Sequence, residues 1–329
     1  MEKLRNIFSG VQPSGSLTIG NYIGALSQWS EMQEKNNCIF CVVDYHAITV
    51  DYDPELLRRR ILEITKIYLA SGIDPKKSII FQQSAIPEHT ELAWILSCGA
   101  SHITDLKKMT QFKDKAGESQ DAVSVGLFTY PILMAADILL YDTQAVPVGD
   151  DQKQHVELAR DIAKRFNNLY GPIFTIPQAE LRREGARIMS LTDPNKKMSK
   201  SAANLSSYIS LTDDIQLAKK KIMKAVTDSG TDIDYDPIDR PALANLLTIY
   251  AQLGNRQIKR LLKDYQGKGY GEFKSDLAEV VAKFLNEFQN KLKVISDSEA
   301  RVVLEDGCLR AELLAKKKMA MVKKAIGVK

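Results

Sequence analysis

Hydrophobic positions along the chain recur in two rhythms, and the rhythm changes about two thirds of the way through. In the first part short apolar runs alternate with stretches spaced three and four apart. Leu4 to Phe8 reads as a strand, the turn-rich Gly10–Gly15 follows, and a helix is predicted from Gly20 to about Gln33. Ile39–Val43 is a second strand, Glu55–Ser71 a helix opened by Pro54, Ile79–Phe81 a short third strand, and Pro87 to Cys98 a helix. Such alternation predicts a parallel sheet with crossover helices. Long helices are expected at Ala122–Tyr141, with a kink at Pro131, and at Gln152–Asn167, followed by an extended piece at Ala186–Met189. After the loop Thr192–Leu205 only helical spacing remains, in Asp213–Ala225, Ala242–Leu253, Ile258–Lys263, Phe273–Ile295 and Ser298–Ala325. The pattern therefore divides the chain into an α/β part, residues 1–205, and an all-helical part, residues 206–329.

A length of 329 residues suits two such units, and a composition of 44% hydrophobic and 26% charged residues is that of an ordinary globular protein. Disorder and fibrous classes are excluded. No apolar stretch of signal-peptide length follows Met1, so a cytoplasmic location is expected. The most apolar window, Val123 to Val148, is broken by Pro131, Asp137 and Asp142 and reads as a buried helix, with no membrane partner implied.

Charge is unevenly placed. Residues 206–329 hold 22 basic against 17 acidic side chains, with Lys316–Lys318, Lys323, Lys324 and Lys329 at the end. That excess is compatible with RNA as partner, although such runs are more often solvated helix faces. The four cysteines, Cys38, Cys41, Cys98 and Cys308, are too few for a disulfide framework. Cys38 and Cys41 have CxxC spacing, but within a strand they point to opposite faces, which favours core packing over zinc held with a histidine.

Two strings carry chemistry. Thr18-Ile-Gly-Asn21 stands between a Gly/Pro loop and a helix, where unpaired N–H groups and the helix dipole could cradle a nucleotide phosphate; an ordinary capped helix is the plainer alternative. Lys197-Met-Ser-Lys-Ser201, preceded by Lys196, sets ammonium groups three residues apart, suited to charge building on phosphate oxygens, or else simply a solvated basic loop. The two together, about 180 residues apart, are far more specific than either.

In this pairing the sequence resembles the class I aminoacyl-tRNA synthetases, and more narrowly their bacterial tryptophan branch. Supporting blocks are Phe8-Ser-Gly-Val-Gln-Pro-Ser-Gly15, Asp44-Tyr-His-Ala-Ile-Thr49, Met109-Thr-Gln-Phe-Lys113, Tyr130 to Tyr141, Val146 to His155, Gly185 to Ser190 and Gly267 to Lys274. Thr18 and Asn21 replace both histidines of the general first motif, a departure usual in that branch. The resemblance implies a Rossmann-like catalytic domain with a helical anticodon-binding domain. It also implies ATP-dependent charging of tRNA(Trp) with L-tryptophan, a requirement for Mg²⁺ with ATP, and a homodimer; neither DNA nor a metal held by the protein is expected.

By the same resemblance Gln12, Pro13, Ser14, Gly20 and Asn21 line the ATP side. Gly149, Asp150, Asp151 and the Ile188 backbone hold ribose and adenine, and Lys197, Met198, Ser199, Lys200 and Ser201 close over the phosphates. Catalysis is assigned to Gln12, Thr18, Lys197, Ser199 and Lys200. Asp137 is expected to accept from the indole N–H in an otherwise apolar slot, since Tyr130, Met134, Asp137 and Tyr141 share a helix face and a buried carboxylate needs a donor. Gln152 would meet the substrate amino group, with Phe8, Val146 and Val148 as walls; His46 is a substrate contact or a satisfied strand-end histidine. Lys113 and Lys115 would reach phosphates or tRNA, or be solvated. Gly267, Gly269 and Gly271 follow a helix, which makes them a helix–helix turn. The rivals are a tyrosine-specific relative, a non-catalytic tRNA-binding paralogue and, more distantly, an NAD-binding oxidoreductase, which lacks support because no GxGxxG follows the first strand.

Overall fold

A computed structural model of the chain describes residues 4–109, 124–181, 187–200, 202 and 204–329, without the side chains of Asp150, Asp151 and Leu181. Its centre is a sheet of five parallel strands: β1 (Arg5–Val11), β2 (Asn36–Val42), β3 (Ile79–Gln82), β4 (Ala145–Val148) and β5 (Gln178–Leu181), in the order β3-β2-β1-β4-β5. The chain winds one way from β1 to β3 and the other way from β4 to β5. The reversal lies between β1 and β4, and in open parallel sheets the crevice outside the strand C-termini at that point is where ligands bind.

Burial on both faces explains the unbroken apolar run in β2. Cys38 and Phe40 enter one core cluster and Ile39 and Cys41 the other, so the two cysteines do point to opposite faces as core residues. Three of the five strands match the expected ones. β4 escaped the pattern because it has four residues and contains Pro147; its pairing with β1 stops at Ala145, so Pro147 has no donor role on that side. β5 is equally short and begins just after Pro177. Of the expected extended piece Ala186–Met189, Ala186 lies outside the described residues and Met189 makes an isolated antiparallel bridge with Lys197.

Local sequence sets the helix starts. α1 runs through Ile19–Asn21, a π-helical Tyr22–Leu26 and Ser27–Met32. α2 (Pro54–Ala70) has proline in its first turn and an Asp53 side chain that accepts from the Leu56 N–H. α3 spans Glu88–Gly99, α4 Val125–Leu139 with Ser124 as its N-cap, and α5 Asp150–Tyr170. Among the described residues after 205 the ordered elements are helical: α6 (Ile215–Lys224), α7 (Pro241–Leu253), α8 (Ile258–Asp264), α9 (Tyr270–Val294) and α10 (Asp297–Ile326). Gly269 caps α9 and Gly267 has φ +77°, which makes the glycine cluster the turn between α8 and α9.

The boundary near residue 205 separates secondary-structure types without separating cores. Leu246, Leu277 and Leu285 share one cluster with Ile19, Ile188 and Met198. α10 then returns to the sheet. A Cβ on its Gly307 would stand 1.8 Å from the Ile80 carbonyl oxygen of β3, so only glycine permits that approach. Ala311, Ala315, Met319 and Val322 enter the second core with Phe81 and Ile138.

One lysine of the basic tail is therefore internal. Lys318 is buried, with Nζ 2.6 Å from Asp142 and 2.8 Å from the Ile173 carbonyl; Lys323 pairs with Glu91 and Lys316 with Glu312. The helix that carries these lysines turns one face, Ala311, Ala315, Lys318, Met319 and Val322, into the core, so the run is not wholly a solvated face. No helix among the described residues is long and apolar enough to cross a membrane.

Candidate active site

At the switch point lies a cavity of about 360 Å³. The strand β1 and its following loop give it Phe8, Gln12 and Ser14; α1 gives Asn21; the turn after β2 gives His46. Tyr130, Met134 and Asp137 arrive from α4, Val146 and Val148 from β4, Gln152 from α5, and Lys197 and Lys200 from the second motif. Thirteen expected site residues, read from separate blocks of sequence, thus border one space. Tyr130 donates or accepts at His155 Nε2 over 2.7 Å, Phe8 stacks on Tyr141, and burial pushes the Tyr130 phenol up to about 12.

Asp137 sits at the deep end, 1% exposed. It is more heavily partnered than the apolar slot anticipated. Its Oδ1 accepts from His89 Nδ1 at 2.6 Å and Gln83 Nε2 at 2.8 Å, and its Oδ2 lies 2.8 Å from His46 Nε2 and 2.9 Å from Gln83 Nε2. Burial alone would push the carboxyl up, but the hydrogen bonds from His46 and His89 outweigh it and hold it well below the usual carboxylate range. The expected apolar surround is corrected accordingly: three polar side chains from three other elements converge on the carboxylate because a buried charge is tolerated only when donors meet it. Sequence reasoning missed Gln83 and His89. The available signal was that His89 is one of only four histidines and stands at the start of an apolar helix.

The opposite end is built from loops. Lys200 Nζ donates to the Gly15 carbonyl at 3.0 Å, joining segments 185 residues apart. Burial, aided by Arg60 and opposed by Glu63, brings its ammonium down to about 8. Gly15 has φ +148°, which favours glycine where the loop passes beneath the lysine. Met198 donates its N–H to the Ile188 carbonyl and is buried, and the space over Gly20 is bounded by Ile188 and Met198. The two motifs therefore pack on one another.

Several expected residues do not face the cavity. Thr18 is fully buried and, with Asn21, forms a capping box: its Oγ1 accepts from the Asn21 N–H and the Asn21 side chain accepts from the Thr18 N–H. Its hydroxyl serves the helix start. Pro13, Ile188 and Met198 are buried beneath the loops, Gly20 spaces the motifs, and Ser199 lies between the two lysines. Gly149 caps α5, placing the backbone of Asp150 and Asp151 in its first turn. Lys113, Lys115 and Ser201 lie outside the described residues.

Comparison with known proteins agrees with this geometry. The profile of the family described as tRNA synthetases class I (W and Y) matches residues 2–286. Tryptophan–tRNA ligase of Bacillus subtilis is 50% identical over 325 residues, covering 98% of both chains, and that of Bacillus anthracis is 47% identical over 323. The crystal structure of tryptophanyl-tRNA synthetase from Mycoplasma pneumoniae superposes with a TM-score of 0.92 at 34% identity and 99% coverage of each chain. The Campylobacter jejuni enzyme, crystallised with ADP and tryptophan, gives 0.81 at 38% identity, with 98% of this chain and 100% of that one covered. The cavity, the paired motifs and these likenesses together place the chain in the class I aminoacyl-tRNA synthetases, in their tryptophan and tyrosine group.

Proposed function

We infer that the chain is a tryptophan–tRNA ligase: it activates L-tryptophan with ATP and passes the aminoacyl group to the 3′ end of tRNA(Trp). The observation that carries this reading is a single cavity with an ionised, buried Asp137 at one end and Lys197 and Lys200 at the other. Indole N–H is a donor only, and a fixed carboxylate is its matching acceptor. That the Campylobacter jejuni relative is solved with ADP and tryptophan supports a site for a nucleotide and an amino acid.

Activation asks little covalent chemistry of the protein. A tryptophan carboxylate oxygen attacks the α-phosphorus, the bond from that phosphorus to the bridging oxygen breaks, and pyrophosphate leaves with the electron pair. The nucleophile is already an anion, so no side chain need remove a proton. The chain's part is to orient the reactants and to stabilise charge on the departing phosphates. Phe8, Val146 and Val148 wall the indole, Gln152 takes the amino group, and Gln12, Ser14 and Asn21 line the nucleotide. Lys197 and Lys200 face the leaving group. Lys197 and Lys200, as cations, suit the phosphate oxygens of ATP, which would carry Mg²⁺ with them. Bound there, the ion would neutralise part of the phosphate charge.

The same reading assigns residues 206–329 to the anticodon end of tRNA, the assembly to a homodimer and the location to the cytoplasm, all supported by the family likeness. Exchange of labelled pyrophosphate into ATP, run with each amino acid in turn, tests it. Exchange that depends on tryptophan is expected; exchange that depends on tyrosine, or none, would overturn it.

A further inference from the structure

His89 and Gln83 are fully buried, and neither borders the cavity. Both nevertheless bind the one carboxylate that does. Gln83 uses its carbonyl oxygen to accept from the Tyr45 N–H at 3.1 Å, which turns its NH₂ toward Asp137. His89 is held from both sides: Nδ1 lies 2.6 Å from Asp137 and Nε2 lies 2.8 Å from the Tyr141 hydroxyl. Tyr141 is buried, and burial pushes its phenol well up, so it keeps its proton and can donate to Nε2. That leaves the hydrogen on Nδ1, aimed at the carboxylate.

We propose that His89, its tautomer fixed by Tyr141, is a positioning residue for substrate selection: it holds Asp137 from behind in the orientation that reads the N–H of the bound side chain. This rests on Asp137 being the indole acceptor. Without the rear donor the carboxylate would be held only by Gln83 and by His46, which is on the cavity side. The group then rotates or picks up a proton, and either change weakens a hydrogen bond that depends on its direction and charge. Packing of the indole ring against Phe8, Val146 and Val148 does not depend on it.

The test compares tryptophan with β-(3-benzothienyl)alanine, an isostere in which sulfur replaces the ring N–H, in pyrophosphate exchange. His89→Leu removes the donor, His89→Asn retains one near the Nδ1 position, and Tyr141→Phe removes only the phenolic oxygen. For His89→Leu the preference for tryptophan over the isostere should shrink about tenfold, through KM for tryptophan, with the isostere changed less than about threefold. His89→Asn should restore the preference to within about threefold of the parent. If His89→Leu does not fold, Tyr141→Phe carries the test, with an expected narrowing of about threefold. Equal loss of both substrates, or an unchanged preference in the folded variants, overturns the proposal. Asp137→Ala serves as the control. A preference that survives it refutes the reading of Asp137 and this inference with it, whereas one that collapses there but survives loss of His89 refutes the positioning role alone.

Discussion

The two ends of the cavity are built on different principles. Around Asp137 every partner stands in a helix or a short helical turn next to the sheet, is buried, and makes hydrogen bonds of 2.6 to 2.9 Å to the one carboxylate. At the phosphate end Gln12, Ser14, Lys197 and Lys200 come from two loops, which the hydrogen bond from Lys200 to the Gly15 carbonyl joins. A selective site needs its acceptor fixed before the ligand arrives, so that the hydrogen bond to the substrate's donor is made without reorganising the site. A site that stabilises a leaving group needs charge near where charge develops. Recognition is thus tied to the stability of the fold, and charge stabilisation much less so.

The largest expected effect sharpens that contrast at the loop end. Lys197→Ala or Lys200→Ala should lower the activation rate about 10²–10³-fold while leaving tryptophan affinity nearly unchanged and stability within about 1 kcal/mol, read by single-turnover kinetics and thermal melts. A rate within threefold of the parent would remove the lysines from the mechanism. At the framework end Asp137→Ala strands three buried donors, so it should cost stability as well as activity, at about 1–3 kcal/mol for each group left unpaired, and lower the melting temperature clearly. A melt like the parent's would show that the network is not holding the core.

A smaller effect follows from Lys200. Its ammonium carries the useful charge below a pKa of about 8 and loses it above, so kcat/KM for ATP should fall as pH rises through that value, by about tenfold one unit higher. Lys200→Arg, charged throughout, should flatten the limb; a parent profile flat to pH 9 would contradict the assignment. Smallest is the tRNA effect. Because Lys318 and Met319 belong to the core, deleting the tail would disturb the sheet edge, and reversing the exposed Lys317 and Lys324 to Glu is the cleaner probe. It should weaken tRNA binding and reduce its salt slope by about 1–2 while tryptophan activation is unchanged. An unchanged slope would mark these lysines as a solvated face.

Most of the framework was legible in the sequence because each element carried its own signal. β2 is an apolar run, α2 opens with Asp53-Pro54, and the helices after residue 205 keep a steady period. β4 and β5 carried none, being four residues long with proline in or beside them. The cavity's walls were legible through family resemblance. The rear of the site was not: a histidine on an apolar helix and a glutamine in a turn take their meaning only from what stands opposite, and Asp137 is 48 and 54 residues away in sequence. Nor could charge counting show that α10 turns Lys318 into the core, which depends on the close approach at Gly307.

The central claim is that Asp137 reads the indole N–H, and the most direct measurement is the ratio of kcat/KM for tryptophan to that for phenylalanine, in the parent and in folded Asp137→Ala. Loss of the bond should cost tryptophan about 1.5–3 kcal/mol in kcat/KM. Phenylalanine brings no donor and loses no hydrogen bond with the carboxylate, so its activity should hold or rise. The ratio is expected to shrink at least about tenfold, each factor of ten being about 1.4 kcal/mol. Equal loss of both substrates would make Asp137 a structural residue and contradict the account.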